Sequence, residues 1–179
     1  MNADHFGYTK SDGFEIAYMT HGQGPPDILY LGNQILCQEV LLDEPVRSRL
    51  LKPIAEIGRV ITFDRRGIGL SEHSPGAVPI EDQVADVLAV LDAVGSHQVA
   101  VIGWGDGAMM ATMLAASHPQ RVSHLTLFQG QARTTKAEGY EWAMSESDRR
   151  TRLIEVAMSD WGKGELFSQL GTPVWASQD

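Results

Sequence analysis

Apolar positions along the chain fall into two rhythms. Short apolar runs, ILYLG at 28–32, RVITFD at 59–64, QVAVIGW at 98–104 and HLTLFQG at 124–130, predict strands, the first of them buried. An earlier segment alternates imperfectly through Phe14, Ile16 and Tyr18 before the turn-rich THGQGPPD, and predicts a strand that ends in a sharp turn. The segments between carry helical spacing. Residues 38–57 place Val40, Leu41, Leu42, Val46, Leu50, Leu51, Ile54 and Ile57 at such intervals, with Pro45 and Pro53 marking starts or kinks. Over 80–94, Ile80, Val84, Val87, Leu88, Leu91 and Val94 recur at three- and four-residue steps, and Gly95 ends the pattern. A helix rich in small residues follows Gly107 and stops at Pro119. Strand and helix alternating in this way predict an α/β fold, with a mostly parallel sheet covered by helices on both faces. Beyond Gly130 the rhythm changes. Residues 138–170 read as helical, with breaks at Gly162 and Gly164, and no further strand is predicted before Asp179. The expected organisation is a core over 1–137 and a helical covering segment over 138–179.

Composition narrows the function classes. The 23 acidic and 14 basic residues leave a formal net charge of −9, which argues against nucleic acid or an anionic membrane as partner. A hydrophobic fraction of 43% excludes disorder. The single cysteine, Cys37, cannot form an internal disulfide, no stretch is long and apolar enough to span a membrane, and MNADHFGYTK does not read as a signal peptide. An acidic, soluble, cytoplasmic protein is expected.

The segment with chemical content is Gly103-Trp104-Gly105-Asp106-Gly107, set between a predicted strand and a predicted helix. Its frame is that of the nucleophile elbow, G-x-S-x-G, in which the middle residue sits on a strained turn and presents its side chain to substrate. Here the middle residue is Gly105, which has no hydroxyl, thiol or carboxylate and excludes covalent catalysis through that position. Asp106 follows it and reads as a local helix-start residue, favoured by the helix dipole and free N–H groups. Gly103, Gly105 and Ala108 also satisfy the dinucleotide fingerprint, but no acidic residue follows in LTLFQGQ, so no cofactor is expected.

Together these segments resemble the α/β-hydrolase superfamily, and more narrowly the hydrolase-like domains attached to bacterial adenylate/guanylate cyclases. The resemblance rests on FEIAYMTHGQGPPDILYLG, RVITFDRRGIGLSE, IEDQVADVLAVLDAVGSHQVAVIGWGDG and MLAASHPQRVSHLTLFQGQAR in that order, with YEWAMS and DWGKGELF resembling the start of a lid. It implies a catalytic triad in the order serine, acid, histidine. The serine position falls on Gly105, strand six ends in Phe128, Gln129 and Gly130 without a carboxylate, and the remaining members are expected beyond the lid. The expectation is therefore a truncated α/β-hydrolase fold, its N-terminal part and the start of a helical lid-like segment. It would act as a non-catalytic, pseudoenzyme-like domain with a structural, sensory or protein-interaction role. The competing expectation is an inactive or truncated form of a serine hydrolase, esterase- or lipase-like, whose parent carries the triad.

The resemblance also implies backbone oxyanion donors at Asn33 and Asp106, and with them room for a small apolar ligand. His21 maps to a structural position; His73, His97, His118 and His124 form no metal-ligand spacing, so no metal is expected. Asp64, Arg65 and Arg66 read as an ion-pair or hydrogen-bond network ordering the glycine loop, and Cys37 as buried. With strand six as the last strand, His124–Gly130 becomes an exposed apolar edge. Such an edge recruits pairing, so a homodimer or higher oligomer is expected there.

Overall fold

A computed structural model describes residues 5–32, 37–42 and 47–159. The chain divides into two units, Met1–Gln131 and Ala132–Asp179.

In the first unit, β1 (His5–Ser11) and β2 (Phe14–His21) form a hairpin. Its turn is Asp12-Gly13, with φ of 49° and 85°, the left-handed pair that a tight two-residue hairpin requires. β2 runs antiparallel to β4 (Arg59–Phe63). β4 is parallel to β3 (Asp27–Leu31), β3 to β5 (Val99–Trp104), and β5 to β6 (Val122–Phe128). The spatial order is β1-β2-β4-β3-β5-β6. The four predicted apolar runs are the four parallel-paired strands. β1 escaped the hydrophobic reading because it is an edge strand: of HFGYTKS only Ser11 is buried.

Helices cover both faces. α3 (Ile80–Ala93) and α4 (Gly107–Ser117) bring Val84, Val87, Leu91, Met110 and Leu114 against Ile16, Leu29, Ile61 and Val101. On the other face α1 (Gln38–Leu42), a π-helical turn at Arg47–Leu51 and α2 (Lys52–Ala55) pack Leu41, Leu51 and Ile54 on Tyr30 and Val60. The buried side of α3 follows from its three-and-four spacing. α4 lacks such a stripe, because its small residues lie close against the sheet instead.

The expectation of a fold cut short is corrected here. The strands form one continuously hydrogen-bonded, six-stranded mixed sheet with helices on both faces. That expectation rests on triad members placed beyond the lid, which says nothing about how the strands pair.

In the second unit, Thr135 bridges Met144 and Ala137 bridges Tyr140, with the Tyr140 and Trp142 rings 4.3 Å apart. α5 (Glu146–Ser159) begins with a serine cap: the Ser145 hydroxyl accepts the Asp148 backbone N–H at 3.1 Å and donates to the Asp148 carboxylate at 2.7 Å. Trp161, Gly162, Gly164 and the rest of DWGKGELF lie outside the described residues. No described helix is long and apolar enough to cross a membrane.

Candidate active site

The C-terminal ends of β3, β5 and β6 meet where the GWGDG turn begins α4. Register places Leu31 beside Gly103 and Trp104 beside Phe128. Gly105 has φ of 62°, a backbone that a side-chain-bearing residue adopts only at a cost. Its N–H donates to the Phe128 carbonyl at 3.0 Å, which ties the turn to the end of β6.

The flanking glycines are required by contact. A Cβ on Gly107 would fall on the carbonyl oxygen of Leu31, and one on Gly103 would lie 2.8 Å from both Ala108 Cα and Ala111 Cβ. Opposite, a Cβ on Gly130 would lie 2.8 Å from Ala108 Cβ. Three glycines thus let α4 start directly against two strand ends.

Asp106 stands at the N-cap of α4, yet its side chain makes no capping hydrogen bond. Its carboxylate instead receives the Arg65 guanidinium at 2.5 Å, and the same guanidinium donates to the Gly32 carbonyl at 2.9 Å. One half-buried arginine therefore links the end of β3, the glycine loop and the elbow. No spacing rule pairs residues 41 apart, so nothing in the sequence joins Asp106 to the Asp64-Arg65-Arg66 run.

The rest of the Asp64-Arg65-Arg66 run does form the expected network. The buried Asp64 carboxylate accepts backbone N–H groups from Gln38 at 2.7 Å and Leu70 at 2.8 Å. Burial nevertheless pushes its pKa up, against the opposing pull of those two N–H groups. The Ser71 hydroxyl donates to the Asp64 carbonyl at 2.6 Å and accepts the Ala17 N–H at 2.9 Å. Arg66 pairs with Asp86 on α3 at 2.7 Å, both side chains buried, and lies over the Phe14 ring at 4.6 Å.

His21 is buried on β2, 3.3 Å from the Thr62 hydroxyl, which donates to Gln38 Oε1 at 2.8 Å. Two neighbours on that face, Tyr30 Oη and Gln38 Nε2, are buried without a hydrogen-bond partner. Cys37 is half-buried rather than buried. A Cβ on Gly69 would lie 2.8 Å from the Cys37 Cβ and closer still to the Asp64 carboxylate. Asn33 lies outside the described residues.

Sequence gave no sign of Gln129. It leaves β6 with a left-handed φ of 52° and accepts the Trp104 indole N–H on Oε1 at 2.9 Å.

The family description "alpha/beta hydrolase fold" matches residues 43–154, more than half of the chain. The chain belongs to the α/β-hydrolase family.

Among curated relatives of this hydrolase fold, a protein of Azorhizobium caulinodans named as a carbamate hydrolase, RutD, is 29% identical over 172 residues, 96% of this chain and 60% of its own. A RutD of Caulobacter segnis is 33% identical over 85 residues, 46% of this chain and 32% of its own. Among solved structures, an esterase from Exiguobacterium antarcticum superposes with a TM-score of 0.72 at 24% identity, over 92% of this chain and 59% of the esterase. An epoxide hydrolase from Vigna radiata gives 0.70 at 18% identity, over 95% and 55%. These last two establish the fold alone. The chain spans at most about three-fifths of each of these relatives.

Two further expectations are corrected by these findings. The kinship is not confined to an N-terminal piece of a cyclase-associated domain, because the likeness to esterases, epoxide hydrolases and RutD proteins runs over nearly the whole of this chain. A non-catalytic, pseudoenzyme reading is also displaced, because the curated relatives are named as hydrolases. Gly105 removes one route, covalent catalysis through that residue, and leaves the turn around it intact.

Proposed function

We propose that the protein is a hydrolase that adds water to the acyl carbon of an ester or carbamate, at the C-terminal ends of β3, β5 and β6. The observation that carries this reading is the strand–turn–helix at Val99–Ser117, which keeps the left-handed turn of an elbow at Gly105, φ 62°. The ester and carbamate classes come from the names of the relatives.

Gly105 offers no nucleophile, so the attacking oxygen is assigned to water. The water oxygen bonds to the acyl carbon as the carbonyl electron pair moves onto its oxygen, and we assign stabilisation of that oxygen to the backbone N–H groups of Asp106 and Asn33. Collapse of the tetrahedral species expels the alcohol or amine, which leaves with the proton that water gives up.

Release of p-nitrophenol from p-nitrophenyl acetate and from a p-nitrophenyl carbamate tests the reading. The folded chain is expected to exceed its heat-unfolded form, with no acyl adduct in the intact-mass spectrum during turnover. Equal rates for folded and unfolded chain would sink the hydrolase reading. An acylated residue would replace water attack by a covalent route.

We further place the protein in the cytoplasm and propose that it self-associates through β6. This strand is last in the sheet order, is exposed from Ser123 to Phe128, and carries no charged residue or proline.

A further inference from the structure

We infer that Gln129 reads the substrate at this site, its side-chain carboxamide donating a hydrogen bond to a neutral carbonyl oxygen; the inference rests on the hydrolase reading above for its substrate class. Among the described residues only Asp12 and Gln129 combine a side chain with a left-handed backbone, φ 49° and 52°. Asp12 is explained by its hairpin turn. Gln129 is not: it follows the last residue of β6, and glutamine has no intrinsic preference for that conformation.

What holds it there is the elbow. The Gly105 N–H donates to the Phe128 carbonyl at 3.0 Å, and the Trp104 indole N–H donates to Gln129 Oε1 at 2.9 Å. The Phe128 ring sits 6.4 Å from that of Trp104, tilted by 47°, and flanks the indole. Two consecutive residues of the turn thus grip two consecutive residues of the strand end.

The indole also fixes which end of the carboxamide faces outward. An indole N–H donates and never accepts, so the atom it meets is oxygen and the other is the –NH₂. Gln129 is exposed, so this –NH₂ stands beside the elbow as a pair of oriented donors without charge. Such a group suits an acyl or carbamoyl oxygen better than a carboxylate, which an arginine or lysine would hold more strongly.

Benzamide, a neutral carbonyl compound that is not expected to turn over, provides the test. Its binding is followed through the Trp104 indole ¹⁵N–¹H resonance, assigned by its disappearance in Trp104→Phe. In the wild-type chain benzamide is expected to shift that resonance. In Gln129→Gly the dissociation constant is expected to rise about tenfold, while the melting temperature rises because glycine accepts the left-handed backbone. Gln129→Glu, which replaces the donors by a carboxylate, is expected to weaken binding at least as much. A purely structural role predicts tighter or unchanged binding in the stabilised glycine variant.

The inference is overturned if benzamide leaves the wild-type resonance unmoved, or if Gln129→Gly binds it equally well. p-Nitrophenyl acetate turnover by the same wild-type sample judges the hydrolase reading separately. Turnover without Gln129-dependent binding overturns this inference alone; Gln129-dependent binding without turnover overturns hydrolysis alone and leaves Gln129 as a carbonyl-reading residue.

Discussion

Gly105 and Gly107 stand two residues apart and are glycine for different reasons, which the same substitution separates. At Gly105 the constraint is φ, 62°, and alanine there is expected to cost about 1–2 kcal/mol of stability, the penalty of a left-handed backbone. At Gly107 the constraint is space, since a Cβ would fall on backbone oxygens of Leu31 and Gly32 that cannot swing aside. Gly107→Ala is therefore expected to cost more than Gly105→Ala in urea denaturation, and the reverse order would refute this division. Tyr30 presents a different single-residue problem. Its hydroxyl is buried without a partner, and burial raises its pKa from 10.0 to about 12. Tyr30→Phe is expected to stabilise the protein by about 1 kcal/mol, because an unpaired buried hydroxyl carries an uncompensated desolvation cost. The raised value means that the folded state holds the phenol proton more tightly. The stability Tyr30 contributes by this route is thus complete below pH 10 and is lost as pH rises from 10 toward 12, a decline that Tyr30→Phe should flatten. The glycines were legible in the sequence because a motif frame assigns them places. Tyr30 and Gln129 were not, since a missing partner or a twisted φ leaves no mark on residue type.

The elements themselves were largely legible, for a reason that also explains the exceptions. Strands β3 to β6 are continuous apolar runs, and α3 has a clean helical stripe. β3, β4, β5 and α3 declare themselves through burial, whereas β6 is exposed and is legible only through its apolar residues. β1 is mostly exposed, and only its pairing with β2 makes it a strand. What binds element to element is harder to see. Arg66, from the loop after β4, reaches Asp86 on α3 at 2.7 Å, with both side chains nearly inaccessible. Burial works against the Arg66 charge, but the Asp86 hydrogen bond outweighs it and pushes the guanidinium pKa further up. Removing one member of such a pair leaves a buried ion, so Asp86→Ala is expected to cost about 3–5 kcal/mol. Asp12, 3.9 Å from Arg66 and largely exposed, does not replace it. Replacing both partners at once, Arg66→Met with Asp86→Leu, should restore much of the loss. A double variant as unstable as the single one would show that the pair does more than avoid an unpaired charge.

At the scale of the whole molecule, net charge and sheet edge act in opposite directions. A formal charge of −9 on each chain sets up repulsion between copies. β6, with Ser123–Phe128 exposed, carries none of that charge and lacks the lysine or proline that blunts natural edges. Leu125, Leu127 and Phe128 are each at least 40% exposed, so pairing there would bury apolar side chains as well as satisfy edge N–H and C=O groups. Two copies of β6 set antiparallel about Leu125 would place Val122 opposite Phe128 and Ser123 opposite Leu127, a self-complementary arrangement that a two-fold axis generates without further design. Sedimentation velocity at micromolar concentration is therefore expected to show a dimer whose population grows with added salt, as screening weakens the repulsion while the edge bonds persist. Thr126→Lys, which sets two like charges near the axis, should return the protein to a monomer with its circular dichroism and melting temperature unchanged. A wild-type chain that stays monomeric across concentration and salt would rule the edge out as an interface. A lysine variant that unfolds would show instead that Thr126 supports the β5–β6 pairing, and Ser123→Lys at the other end of the strand would then decide between the two.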